Sequence, residues 1–182
     1  PLDTNRVYLT GHSMGGFMAS HMNCTSTSFT AYGGSGGSIY DGYAVGNEYE
    51  ELCDIGSGTY PNPMIISHGT GDDVVTYEWA IFNLYHFQLL NRCQGVVPWP
   101  YNYPWPGLQD IGDYWNDPED DFDDIMNSVL STADTLEHTG IIERYQWSKG
   151  CLGGQSALEA IMLPDEAHAW HQTWNSAINT PL

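Results

Sequence analysis

The chain has 182 residues, with 4 Lys plus Arg against 23 Asp plus Glu and a formal net charge of −19. Its apolar and aromatic content suits one globular domain with a sizeable core and excludes disorder for most of its length. So negative a field repels phosphate backbones and anionic lipid surfaces, which argues against nucleic acid or a membrane as partner, and no apolar run approaches the roughly 20 residues that span a bilayer.

The first element is the β-branched and aromatic run Arg6-Val7-Tyr8-Leu9-Thr10, which follows an Asp-Thr-Asn turn, reads as a buried strand and ends in Gly11. Beyond Gly15 the apolar side chains Phe17, Met18 and Met22 recur near helical spacing, so strand turns sharply into helix between Gly11 and Gly15. A second strand is expected at Phe29 to Tyr32, running into a glycine-rich loop over Gly33 to Gly37. Pro63-Met64-Ile65-Ile66-Ser67 is a continuous apolar run, as a central parallel strand covered on both faces requires, and it delivers His68-Gly69-Thr70-Gly71-Asp72 to the loop at its end. Tyr77 to Asn91 predicts a helix ending near Cys93, its aromatic side chains packing in the core.

Residues Val96 to Asp124 break the pattern. They combine a run of Pro, Trp and Tyr with the acidic stretch Asp117 to Asp124, and read as an inserted loop or lid within a single domain spanning 1–182. The acidic stretch lacks an EF-hand pattern and is read as a solvated face, with calcium as the alternative. A helix is expected from Phe122 to about Leu136. Ile142 to Trp147 and Ala157 to Leu163 then read as two strands of a hairpin across a glycine-rich connection, the second handing over to Asp165-Glu166-Ala167-His168.

Cys24, Cys53, Cys93 and Cys151 lie far apart, with no Cys-x-x-Cys pair and no His at zinc-finger spacing, so no structural metal is called for. Two disulfides are expected, which implies maturation in an oxidising compartment; four buried thiols are the alternative. The chain opens at Pro1 without a Met, and its true N-terminus is expected to lie upstream.

Chemistry concentrates at three of the predicted strand ends. Gly11-His12-Ser13-Met14-Gly15 fits the pattern Gly-x-Ser-x-Gly, in which small residues let strand and helix approach so that a strained turn pushes the serine hydroxyl out of the sheet. The N–H of Met14, at the start of the helix, is then placed to stabilise a developing oxyanion. A serine hydroxyl needs a histidine to take its proton and a carboxylate to orient that histidine. Asp72 and His168 follow in that order, each just beyond a predicted strand, where open α/β sheets place their ligands. Asp73 is the alternative acid and His171 the alternative base. His68 reads as a structural hydrogen-bonding residue, and His12 as either pocket lining or packing. His21, His86 and His138 have no assignable partner in the sequence.

The stretch from Asp3 to Ala19 around Ser13, His68 to Tyr77, Asn91-Arg92-Cys93, Glu143 to Trp147 leading to Cys151, and Ala167-His168-Ala169-Trp170 together resemble the secreted esterases of the α/β-hydrolase fold that include poly(3-hydroxybutyrate) depolymerases, feruloyl esterases and acetylxylan esterases. The resemblance implies an α/β-hydrolase fold, with a mostly parallel sheet and flanking helices, and a secreted serine esterase needing no cofactor. Its substrate would be a polyester, a hydroxycinnamoyl ester or an acetylated polysaccharide. Ser13, Asp72 and His168 would be its triad, with Trp170 beside the pocket. It also implies the bridges Cys93 to Cys151, near the site, and Cys24 to Cys53. Strands that precede the serine turn in that fold are absent from this sequence, so an upstream segment or companion chain is expected to supply the second oxyanion donor. Two other readings compete: a non-catalytic structural protein on a hydrolase scaffold, and a carbohydrate-binding module built on Trp99, Tyr101, Tyr103 and Trp105.

Overall fold

The computed structural model describes residues 3, 5–38, 62–91, 93, 126–127, 129–148, 151 and 158–169. The insertion at 96–124, with Trp99, Tyr101, Tyr103 and Trp105, lies outside them. Among the described residues a six-stranded mixed sheet carries flanking helices, an α/β arrangement. The elements are β1 (Tyr8–His12), α1 (Met14–Thr25), β2 (Ala31–Ser35), β3 (Met64–Gly69), α2 (Tyr77–Leu90), β4 (Thr135–Thr139), β5 (Ile142–Trp147) and β6 (Leu158–Leu163).

The strand order is β1-β2-β3-β6-β5-β4. Strands β1, β2, β3 and β6 run parallel, whereas β5 and β4 are antiparallel additions, with Glu143 opposite Met162 and Glu137 opposite Arg144. Parallel strands end on one edge of a sheet. The residues following β1, β2, β3 and β6 are therefore gathered on one side of the molecule.

Burial follows from this order. In the centre, Met64 and Ile66 of β3 and Leu158, Ala160 and Met162 of β6 meet Ile81, Leu84 and Phe87 of α2 and Trp147 of β5 in one apolar cluster. Strand β1, expected to be buried, instead lies at the edge of the sheet formed by the described residues, with Tyr8 60% exposed. The acidic composition leaves few cations to balance buried carboxylates, and one of them, Arg144, sits across the β4-β5-β6 face. Its Nε and Nη2 donate to Glu159 Oε1 and Oε2 at 2.6 and 3.0 Å, and its Nη1 donates to Glu137 Oε2 at 3.3 Å. Paired carboxylates hold the guanidinium above its usual range, the Glu159 hydrogen bond foremost.

Helix α1 buries Gly16, Ala19, Ser20, Asn23 and Cys24, a stripe of small residues at helical spacing, while Met18 is 55% exposed. The expected helix thus forms, with Met22 packed against the core, but small residues make its fully buried stripe and Met18 points outward. Contact distance explains it: a Cβ on Gly16 would come within 2.9 Å of the Ser35 carbonyl oxygen, and one on Gly34 within 3.4 Å of the Gly16 carbonyl oxygen. The glycines expected to make a loop at 33–37 extend β2 to Ser35 for the same reason, since a bare strand lets α1 lie directly on it. Helix α2 is buried on both its apolar and polar positions, and Asn83 Nδ2 reaches Ser20 Oγ of α1 at 3.3 Å while Gln88 Nε2 reaches the Val129 carbonyl at 3.2 Å.

The helix expected from 122 to 136 is shorter at its C-terminal end. Residues 126–127 and 129–131 are helical, and Thr135 already pairs with Gln146 in β4. Propensity there yields to the ladder that β5 offers, with Trp147 Nε1, at the end of β5, donating at 2.9 Å to Thr132 Oγ1, just before β4.

Cys93 and Cys151 form a disulfide, joining the end of α2 to the segment after β5 across 58 residues. Cys24 is also disulfide-bonded, and Cys53 lies outside the described residues. No helix among the described residues is long and apolar enough to cross a membrane.

Two predictions follow from this packing. Closing a loop of that length removes about 4 kcal/mol of unfolded-chain entropy. A Cys93→Ala/Cys151→Ala double variant should lose about 2–4 kcal/mol of unfolding free energy, read by urea titration without reductant. Burial holds His86 neutral in the fold, pushing its pKa down to about 4 from 6.5. Its contribution is complete above pH 6.5 and is lost as pH falls towards 4, because only the unfolded chain takes up the proton; this amounts to about 3 kcal/mol. Stability of a His86→Gln variant should fall less steeply over that window than that of the wild type, as urea midpoints at pH 7, 6, 5 and 4 would report.

Candidate active site

Ser13 lies between β1 and α1 with φ 54° and ψ −121°, a backbone conformation that side-chain-bearing residues rarely adopt. Its amide donates to the Ser35 carbonyl at 2.9 Å, and its own carbonyl accepts from the Gly16 and Phe17 amides at 2.8 and 3.0 Å, which starts α1. Although Ser13 occupies the N-cap, its hydroxyl makes no capping bond. A serine in that place ordinarily contributes about 1 kcal/mol by capping. Here the hydroxyl lies 3.0 Å from His168 Nε2 instead.

The turn needs glycine at one position rather than two. A Cβ on Gly11 would fall 2.2 Å from the Gly15 carbonyl oxygen, whereas a Cβ on Gly15 would meet nothing within 4 Å. Gly15 contributes its backbone, against which only a bare Gly11 fits.

Asp72 follows β3 by three residues and His168 follows β6 by five. Since β3 and β6 are parallel neighbours, both loops rise from the same edge and are tied together. Thr70 N–H donates to the Leu163 carbonyl at 3.0 Å, Gly71 N–H to the Glu166 carbonyl at 3.0 Å, and Asp165 N–H to Thr70 Oγ1 at 2.9 Å. Asp165 itself takes a left-handed φ of 60°. The backbones touch so closely that a Cβ on Gly69 would stand 2.1 Å from the Glu166 oxygen.

His168 Nδ1 lies 2.6 Å from Asp72 Oδ2. An ionised carboxylate only accepts, so Nδ1 carries the proton and Nε2 presents its lone pair to the Ser13 hydroxyl. Asp72 is buried, and its other oxygen accepts the Val74 and Val75 amides, each at 2.9 Å. Burial pulls its pKa upwards, but the His168 bond and the two amides outweigh that and leave it below the usual carboxylate value. Asp73 is exposed, so of the two adjacent acids it is Asp72 that meets His168.

His68 is buried beneath this loop. Its Nε2 donates to the Val75 carbonyl at 2.6 Å and stands 3.4 Å from Asp72 Oδ2. Burial lowers its pKa despite the Val75 bond and the Asp72 charge, so it serves as a neutral brace of the turn. His12 ends β1 with its ring 4.8 Å from that of His168. The other histidines stand elsewhere: His21 on α1, His86 on α2, and His138 exposed on β4, 3.9 Å from Glu143. His171 and Trp170 lie outside the described residues.

Met14 is the first residue of α1, and its amide has no intrahelical acceptor. The positive end of a 12-residue helix thus lies beside the serine. Among the described residues no group of three or more His, Cys, Asp and Glu could hold a metal ion.

Sequence reading missed the Ser35-Gly36 corner, which the run of small residues from Gly33 to Gly37 signals only as a loop. Ser35 supplies the carbonyl that anchors the Ser13 amide, and Gly36, at φ 52°, gives its amide to the Ser67 carbonyl at 3.0 Å.

These features define an α/β protein with a hydrogen-bonded Ser-His-Asp relay at the ends of its parallel strands. No protein-family model matches the chain, and no curated protein matches it.

Gly11→Ala should disrupt the serine turn, costing about 1–3 kcal/mol as overpacking does, whereas Gly15→Ala should stay within about 0.5 kcal/mol of the wild type. Thermal melts of the pair check this, and equal losses would contradict the one-sided contact.

Proposed function

We propose that the protein is a secreted carboxylic ester hydrolase of the α/β-hydrolase fold, acting through an acyl-enzyme on Ser13. The observation that carries this reading is the relay itself: a serine at φ 54°, its hydroxyl 3.0 Å from His168 Nε2, and His168 Nδ1 2.6 Å from a buried Asp72. Each distance suits proton transfer or orientation.

In the proposed reaction Ser13 Oγ attacks the ester carbonyl carbon as His168 Nε2 takes its proton. Negative charge gathers on the carbonyl oxygen, and the Met14 amide donates to it. Collapse breaks the ester C–O bond, and the departing alcohol oxygen takes the proton back from His168. Water then attacks the acyl-Ser13 carbonyl, with His168 as base, and Ser13 leaves protonated as the carboxylic acid is released. Asp72 stays ionised throughout and stabilises the imidazolium. Substrates of the resembling esterases, namely polyesters, hydroxycinnamoyl esters and acetylated polysaccharides, define the proposed range. Disulfides at Cys93–Cys151 and Cys24 support an oxidising, extracellular setting. The proposal includes an upstream or companion segment as source of a second oxyanion donor; the outer edge of β1, which pairs with no strand among the described residues, suits it.

A fluorophosphonate probe should label the full-length protein at Ser13, and p-nitrophenyl acetate should be turned over. Ser13→Ala should abolish labelling, and Ser13→Ala or His168→Ala should each lower kcat by about 10⁴-fold or more. Turnover that survives Ser13→Ala would sink the reading in favour of a scaffold without this chemistry.

A further inference from the structure

We propose that His12 is a positioning residue for the base, holding the His168 ring in place while Ser13 is acylated; the inference rests on the ester-hydrolase reading above. Its basis is a set of contacts in which one backbone carbonyl serves both the nucleophile turn and the His12 ring. The Ser35 carbonyl accepts the Ser13 amide at 2.9 Å and lies 3.1 Å from His12 Nδ1, which therefore donates to it. Held in this way, the His12 ring lies against that of His168, with centroids 4.8 Å apart and planes inclined by 36°. Gly36 fits at the seam between the two. A Cβ there would lie 3.1 Å from His12 Cε1 and 3.2 Å from both Cε1 and Nδ1 of His168, and the φ of 52° disfavours a side chain in any case.

The reaction cycle makes such a contact useful. In the resting site His168 has two anchors, Asp72 at Nδ1 and Ser13 at Nε2. Acylation replaces the Ser13 hydroxyl by an ester oxygen with no proton to give, so the Nε2 anchor weakens when the ring must next activate water. One hydrogen bond at Nδ1 leaves the ring free to swing about that bond. A flat neighbour tied to the backbone restricts the swing without competing for either nitrogen, and a small misplacement of a general base is costly in rate. His12 meets these requirements because Ser35, which holds it, also holds the nucleophile turn. Deacylation is therefore the step that depends most on His12.

Three variants separate the ring face from the hydrogen bond: His12→Ala removes both, His12→Gln keeps a donor for Ser35, and His12→Phe keeps a flat ring. With p-nitrophenyl acetate and the full-length protein, His12→Ala and His12→Gln should lower kcat by about tenfold or more, with kcat/KM falling less and a pre-steady-state burst of nitrophenol appearing. His12→Phe should recover kcat to within about threefold of the wild type. If His12→Ala stays within twofold, or His12→Phe is as slow as His12→Gln, the proposal is overturned while the esterase reading stands. Should His12→Ala fail to fold by circular dichroism, the Phe and Gln variants decide by the same criteria. Absence of turnover and of fluorophosphonate labelling in the wild type would overturn both.

Discussion

Gly69 and Glu166 touch through their backbones, and the site depends on that contact. Asp72 and His168 sit on separate loops, 96 residues apart in sequence, and meet at 2.6 Å because those loops lie against each other backbone to backbone at Gly69 and Glu166. The same device recurs at Gly11 against Gly15 and at Gly16 against Ser35 and Gly37. Backbone contacts are stiffer than side-chain contacts, since no rotamer can relax them. A strained serine at φ 54° persists because these surroundings leave it no alternative.

Electrostatics act on this frame in opposite directions. Burial disfavours a charged Asp72 and would raise its pKa, yet two loop amides and the His168 N–H overcome that cost and keep it ionised. His68, in β3 beneath that loop, is kept neutral by burial and braces the turn through the Val75 carbonyl. The pair shows how two buried groups, one at the end of β3 and one in the loop after it, acquire different charge states from their partners. Elsewhere the scarcity of cations is met by giving Arg144 two carboxylates to hold on the β4-β5-β6 face, which secures the antiparallel half of the sheet.

Much of the core was legible because periodicity reports burial directly. The apolar run at Met64 to Ser67 became β3 at the centre of the sheet, and Tyr77 to Asn91 became α2, now seen to be buried on nearly every side. Where side chains were small, pattern misled. Gly33 and Gly34 belong to β2, and the inward face of α1 is made of Gly, Ala, Ser, Asn and Cys rather than Phe17 and Met18, because close packing here selects size over hydrophobicity. The segment at 135–136, with ordinary helical propensity, was drawn into β4 by a strand more than five residues distant.

Sequence alone determined which candidate residue types are present and where they fall relative to the strands: a serine between glycines, then an acid, then a histidine. Those are local properties of spacing and turn chemistry. Tertiary structure decided between Asp72 and Asp73, made His12 a neighbour of His168, and assigned Ser35 and Gly36 to the support of both. Such choices depend on which backbones approach within a few ångströms, and only the order and direction of strands in the folded sheet sets that distance.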